Sequence, residues 1–145
     1  MADEEKKITI AMTGSCFDDA LDHITDILKA QTGPAGIDAC REKLRLVHGI
    51  CLNPAGEPYS HAWAEEDGDC WLIGFVGEAK IAGLAPRADF YEKLMVQEST
   101  AYTLNEVWEH NRRTGHYGPW EDRYWDLCKD VIAGEKPKSA LHNQP

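Results

Sequence analysis

The sequence lacks a long apolar run and any excess of basic residues, and each absence excludes a class of protein. No stretch approaches the roughly 18 apolar residues of a membrane-spanning helix. The formal net charge of −10 argues against binding to nucleic acid or to anionic membranes, because both need positive protein surface. The same charge suits a soluble acidic protein whose partner or substrate is a protein or peptide.

Closely spaced cysteines are also missing. The five cysteines are far apart and include no Cys-x-x-Cys pair, and the segment 1–7 has no apolar core of the kind that signal peptides carry. We therefore expect reduced thiols in the cytoplasm rather than a disulfide framework. We expect no metal and no cofactor, because a zinc site uses close ligand pairs, whereas here the fold alone would have to assemble Cys16, His48, Cys51 and His61.

Hydrophobic periodicity predicts a single α+β domain over residues 8–133, with a disordered charged tail at 1–7 and a C-terminal tail at 134–145. Apolar residues at helical spacing predict a helix over 16–30. Residues 31–36 resemble a loop and 37–43 a short helical turn. Residues 44–52 predict a strand, in which Gly49 is a possible bulge.

The centre of the predicted sheet is a hairpin over residues 59–76. Its turn is Asp67-Gly68, a pair that adopts positive φ angles at low cost between two apolar runs. Residues 77–87 show no clear pattern, and 88–96 fit a helix or a strand. Thr103 and Glu106 form a capping box that opens a helix ending before Gly115, and residues 121–133 predict a last helix. We expect a small antiparallel sheet around residues 44–76, flanked by the N-terminal and C-terminal helices.

Cys16 and His61 are the residues of greatest chemical interest. Cys16 lies at the start of the first predicted helix, where the helix dipole favours a thiolate. His61 lies near the start of the hairpin, and a thiol nucleophile needs a nearby base. The alternative is that Cys16 is an inert buried thiol, in which case His61 has no catalytic role either. His48 is expected to have a backbone partner, and His116 to be a packing and turn residue.

Several motifs, in order along residues 14–120, resemble a known group of proteins. They are Gly14-Ser-Cys-Phe, Leu46-Val-His-Gly49, Ser60-His-Ala-Trp-Ala-Glu65 with Asp67-Gly-Asp69, Tyr102-Thr103 and Thr114-Gly-His-Tyr-Gly-Pro-Trp120. The group consists of small, mostly uncharacterised phage and bacterial proteins similar to the papain-like, NlpC/P60-type cysteine hydrolases. The resemblance implies a papain-like fold, Cys16 as nucleophile and His61 as base, and the host cytoplasm as location if a phage encodes the chain.

The chain departs from this group at the residue that would orient the histidine. The group usually has an acidic residue on the strand after the histidine, but residues 70–76 contain no carboxylate. Counting outward from the turn places Gly74 or Phe75 opposite His61, so we expect Glu78, rather than Asp69 in the turn, to approach the imidazole.

Two hypotheses remain. The first is a thiol hydrolase or acyl transferase acting on a peptide-type amide bond. The second is a non-catalytic binding protein on the same scaffold, such as a phage accessory factor that docks an acidic face on a host protein. If Glu78 is exposed and the Nδ1 atom of His61 has no acceptor, we expect a binding module that kept an ancestral Cys–His pair, and not catalysis.

Overall fold

The computed structural model describes residues 9–10 and 15–128, so the predicted tails at 1–7 and 134–145 lie outside it. The described strands are β1 (Thr9–Ile10), β2 (Leu44–Leu52), β3 (Pro58–Glu66), β4 (Asp69–Val76), β5 (Ala79–Pro86) and β6 (Glu98–Tyr102). The described helices are α1 (Ser15–Lys29), α2 (Gly33–Lys43), α3 (Arg87–Lys93), α4 (Leu104–Thr114) and α5 (Asp122–Trp125). The predicted α+β class with an antiparallel sheet is confirmed.

The sheet is antiparallel throughout and has the order β1-β4-β3-β2-β6, with β5 paired to β4. Strand β2 pairs with β3 along its whole length, from Leu44↔Glu66 to Leu52↔Pro58. Strands β3 and β4, by contrast, pair only beside their turn, at residues 65↔70 and 66↔69. Strand β4 pairs along its full length with β5, and residues 74 and 75 also pair with β1. The hairpin therefore opens into two diverging arms soon after its turn.

Side chains that alternate along β2 and β3 pack into two separate cores. On one face of the sheet, α1 and α4 cover a core that includes Leu44, Leu46, Ala62 and Ala64. On the other face, α3 contributes Phe90 to a core that includes Val47, Cys51, Tyr59 and Trp63. Successive residues of β3 consequently face different cores, and the odd-numbered ones share the α3 side with His61.

The local signals for the hairpin turn and for α4 are confirmed. Asp67 and Gly68 both have positive φ angles, 56° and 92°, as a two-residue hairpin turn requires. The Thr103 side chain accepts from the backbone N–H of Glu106, and the Glu106 carboxylate accepts from the N–H of Thr103. Gly115 ends the helix in the left-handed conformation.

Other local predictions need correction. Residues 33–36 belong to α2 rather than to a loop, because Pro34 lies in the first turn of the helix, where its missing N–H costs nothing. Residues 79–86 form β5, and the segment 88–96, left open between helix and strand, begins with α3. The helix predicted over 121–133 is a single turn, α5; residues 129–133 lie outside the described part.

Gly49 does not form a bulge, since the register of β2 is unbroken on both sides. A Cβ atom at Gly49 would lie 2.5 Å from Cη2 of Trp63, so glycine is required there for close approach of the indole. Among the residues that the structure describes, no helix combines the length and apolar character needed to cross a membrane.

Candidate active site

A small cleft lies where β3 and β4 diverge. The first turn of α1 contributes Cys16 and Asp19, β3 contributes His61 and Trp63, and the remaining wall comes from residues 71–73 of β4 and from α3. The cleft has a volume of about 10 Å³, which is about enough for one water molecule. Cys16 and His61, the two predicted residues, therefore both line this cleft.

Cys16 owes its position to α1, which begins at Ser15. The helix therefore begins one residue before the start predicted at residue 16. Cys16 lies in the first turn, where the positive end of the helix dipole favours a thiolate. Its side chain is only 2% exposed and packs in the core between α1 and the sheet. The thiol is therefore favourably placed electrostatically but shielded from solvent.

His61 is almost as buried, at 5% exposure. Its imidazole lies between the rings of Tyr59 and Trp63, with centroid distances of 6.1 Å and 5.9 Å. Burial lowers the pKa of His61 to about 4, because the charged form loses its hydration. The ring is therefore neutral near pH 7. Its Nδ1 atom is buried and has no hydrogen-bond partner among the described residues.

The structure does not bring Glu78 to His61. Glu78 is exposed in the turn between β4 and β5. Extending the register of β3 and β4 would place Gly74 opposite His61, but Gly74 pairs instead with Ile10 of β1 and Ile81 of β5. Since β3 has already left β4 at this point, counting residues outward from the turn gives the wrong neighbour for the imidazole.

The other thiols and histidines are placed differently. Burial raises the pKa values of Cys51 and Cys70 to about 12, so these two thiols remain protonated and unreactive at neutral pH. His48 is fully buried, and neither of its ring nitrogens has a partner in the part of the chain that is described. The expected backbone partner of His48 is thus not found; Phe17 and Trp120 pack against its ring at centroid distances of 4.8 Å and 5.0 Å.

No group of three or more His, Cys, Asp or Glu side chains within residues 9–10 and 15–128 is arranged to hold a metal ion. All five cysteines are free thiols. His116 is a turn residue, as predicted, and its Nδ1 atom accepts from the N–H of Gly118 at 3.1 Å.

Glu65 was not among the predicted site residues. Its side chain is only 3% exposed, and it lies four residues after His61 on the same face of β3. It accepts hydrogen bonds from the indole of Trp63 at 2.9 Å, the hydroxyl of Tyr91 at 2.6 Å and the guanidinium of Arg87 at 2.6 Å and 3.0 Å. The alternation of residues 61, 63 and 65 was the available signal, since it places all three side chains on one face.

Comparison with known proteins found no family model, no curated protein and no solved structure that matches this chain.

Proposed function

We propose that the chain is a papain-like thiol hydrolase or acyl transferase in which Cys16 is the nucleophile and His61 transfers the proton. The observation that carries this proposal is that, among five cysteines and six histidines, one cysteine in the first turn of a helix and one strand histidine line the same cleft. Two of the other buried thiols, Cys51 and Cys70, are held in the protonated form because burial raises the pKa of each.

The reaction follows from these two groups. The sulfur of Cys16 attacks the carbonyl carbon of a peptide-type amide while the neutral imidazole of His61 accepts the thiol proton. The proton then passes to the departing amine as the C–N bond breaks, which leaves a thioester on Cys16. Water or an acceptor amine releases the acyl group and restores the thiol. Backbone N–H groups at the start of α1 are suited to stabilise the negative carbonyl oxygen.

The small volume of the cleft sets a condition on this chemistry. A space of about 10 Å³ admits water but not a peptide. The walls formed by β4 and α3 must therefore move before a carbonyl group can reach Cys16. The net charge of −10 favours a protein or peptide substrate over nucleic acid or anionic membranes, and the free thiols accord with a cytoplasmic location.

A second candidate is a non-catalytic binding protein on the same scaffold, for example a phage accessory factor that docks an acidic face on a host protein. Both conditions stated above for this candidate are met, namely the exposure of Glu78 and the absence of a described partner for Nδ1 of His61. The enzyme is kept as the first candidate because Cys16 and His61 line one cleft. Loss of the orienting group can reduce the rate of a serine protease by about 10⁴-fold. Asp18 and Asp22 on the exposed side of α1 would belong to the docking face.

Thiol labelling separates the two candidates, because solvent accessibility and thiol activation predict opposite orders of labelling for Cys16 and Cys40. Cys40 is half-buried, whereas the other four cysteines are buried. If accessibility alone decides, iodoacetamide labels Cys40 first. If Cys16 is activated, mass spectrometry at pH 6–7 finds Cys16 labelled first, and His61→Ala slows Cys16 without slowing Cys40. Cys16 protected throughout, or labelled at a rate that His61→Ala does not change, would support the binding candidate and exclude the enzyme.

A further inference from the structure

His61 is held by aromatic rings rather than by a hydrogen-bond acceptor. Tyr59, His61 and Trp63 are alternate residues of β3, so their side chains project from the same face of the sheet. The Trp63 ring is tilted by 34° from the imidazole plane at a centroid distance of 5.9 Å, which lies within the range of aromatic contacts. The orientation of the imidazole therefore depends on where these neighbouring rings are fixed.

Trp63 is fixed at both ends of its indole. Its Nε1 atom donates to Oε2 of Glu65 at 2.9 Å. The far edge of the indole lies over Gly49, at the site where a Cβ atom would come within 2.5 Å of Cη2. Gly49 is the residue of β2 that pairs with His61. The indole therefore extends along the sheet from Glu65 to the position beside the imidazole.

The Oε2 atom of Glu65, which accepts from the indole, also accepts from the hydroxyl of Tyr91, the fifth residue of α3, and this bond holds it in place. Arg87, the first residue of α3, donates only to the other oxygen, Oε1, and its side chain is 54% exposed. Phe90 of the same helix packs against Trp63 with a centroid distance of 5.1 Å. The contacts from α3 to the indole, through the carboxylate and through Phe90, are continuous.

We propose that Glu65 is a positioning residue that orients the His61 imidazole through Trp63, in place of a carboxylate bonded directly to the ring. Its catalytic meaning rests on the proposed thiol chemistry, since an oriented imidazole is useful only if Cys16 reacts. This arrangement fixes the ring without a carboxylate bonded to its Nδ1 atom, which has no partner among the described residues.

The orientation of the ring can be measured by NMR without any substrate. In aromatic ¹H–¹³C spectra at pH 7, a single ring orientation gives one sharp set of His61 signals, with cross-relaxation to the Trp63 indole. We expect Glu65→Leu and Trp63→Phe to broaden or double these signals. Glu65→Gln keeps an oxygen that can accept from the indole N–H, so it should restore the signals in part.

Arg87→Ala is the matched control, because it removes the ion pair of the same carboxylate but leaves the bond between Glu65 and Trp63 intact. We expect its His61 signals to match those of the wild type. In the labelling assay, Glu65→Leu and Trp63→Phe should slow Cys16 about tenfold to 100-fold, as misplacement of a reacting group does. Arg87→Ala should leave the rate of Cys16 relative to Cys40 unchanged.

The two proposals fail in different ways. If the labelling rate of wild-type Cys16 relative to Cys40 does not depend on His61, the thiol enzyme is excluded. The NMR comparison still decides whether Glu65 and Trp63 hold the ring. Unchanged His61 signals in Glu65→Leu would overturn the positioning role. Equal effects of Glu65→Leu and Arg87→Ala would also overturn it, since they would indicate general loosening of the α3 contacts. If Trp63→Phe does not fold, the comparison of Glu65→Leu with Glu65→Gln still tests whether Glu65 orients the His61 ring.

Discussion

Replacement of Glu65 by leucine should destabilise the domain far more than loss of its ion-pair partner. The carboxylate is 3% exposed, and the indole N–H of Trp63 and the hydroxyl of Tyr91 both donate to its Oε2 atom. Leucine has a similar size but no acceptor, so both donors would lose their partner inside the protein. A buried donor left unsatisfied costs about 1–3 kcal/mol.

The two lost hydrogen bonds give an expected decrease in the free energy of unfolding of about 3 kcal/mol, which allows for the partial exposure of Tyr91 and for the favourable burial of the leucine side chain. The Arg87 side chain is 54% exposed, and in Arg87→Ala the carboxylate keeps its other donors. Truncation to alanine also uncovers Oε1 of Glu65, so water can replace the guanidinium there, and the pair is treated as a solvent-exposed one that contributes about 0–1 kcal/mol. Arg87→Ala should therefore cost less than about 1 kcal/mol.

Urea unfolding, followed by tryptophan fluorescence and circular dichroism, measures both free energies. Equal slopes of the unfolding free energy against urea concentration would show that the variants differ in stability and not in the compactness of the unfolded state. Native domains have about 5–15 kcal/mol of stability, so Glu65→Leu should remain folded in water. A loss below about 1 kcal/mol in Glu65→Leu, or an equal loss in Arg87→Ala, would refute the view that Glu65 satisfies buried donors.

Two further predictions concern buried residues of β2. Gly49→Ala should cost about 1–3 kcal/mol in urea unfolding, as overpacking does, because the new Cβ atom meets Trp63; an unchanged midpoint would contradict this. For His48, burial lowers the pKa to about 3 from 6.5 in the unfolded chain, so the unfolded state binds the proton first as the pH falls. The stability linked to His48 is therefore complete above pH 6.5 and is lost between pH 6.5 and 3 at up to about 1.4 kcal/mol per pH unit. Stability measured from pH 7 to 4 should fall less steeply in His48→Phe than in the wild type, and equal slopes would refute the assignment.

Signals contained within a few residues were sufficient for much of the fold. The turn at Asp67-Gly68 and the capping box of Thr103 and Glu106 depend on backbone angles and hydrogen bonds made locally, so the sequence predicts them directly. Strand β2 is also predicted with its observed bounds, because β-branched and apolar residues continue between clear boundaries.

Elements without a buried face were predicted only in part or not at all. Helix α2 has no buried residue, so it shows no apolar stripe, and its start signal, Pro34 in the first turn, was taken as part of a loop. Strand β5 is mostly exposed and pairs only with β4 among the described strands. An exposed edge strand needs no alternation of apolar and polar side chains, so its sequence has no periodicity from which the strand could be predicted.

The candidate site was predictable in its residues but not in its construction. Cys16 and His61 could be chosen because a helix start and a strand position each follow from local patterns. Glu65 could have been found from the alternation of residues 61, 63 and 65. Its bonds to Arg87 and Tyr91 could not, since α3 was not distinguished from a strand and its packing side depends on the tertiary fold.

The error over Glu78 and the existence of the cleft have the same structural cause. A strand has two edges, and β5 occupies one edge of β4 along its full length. Strands β3 and β1 must therefore share the other edge, with β3 paired at residues 69 and 70 and β1 at residues 74 and 75. Ile10 of β1 takes the place opposite Gly74 that simple hairpin counting assigns to His61.

The displacement of β3 separates His61 from the arm of β4 that leads to Glu78, and it opens the space into which α1, the element after β1, inserts Cys16. The divergence of β3 from β4 thus lets Cys16 and His61 line one cleft and keeps Glu78 out of it, which agrees with the proposal that the ring is oriented from β3 itself, where Trp63 and Glu65 lie.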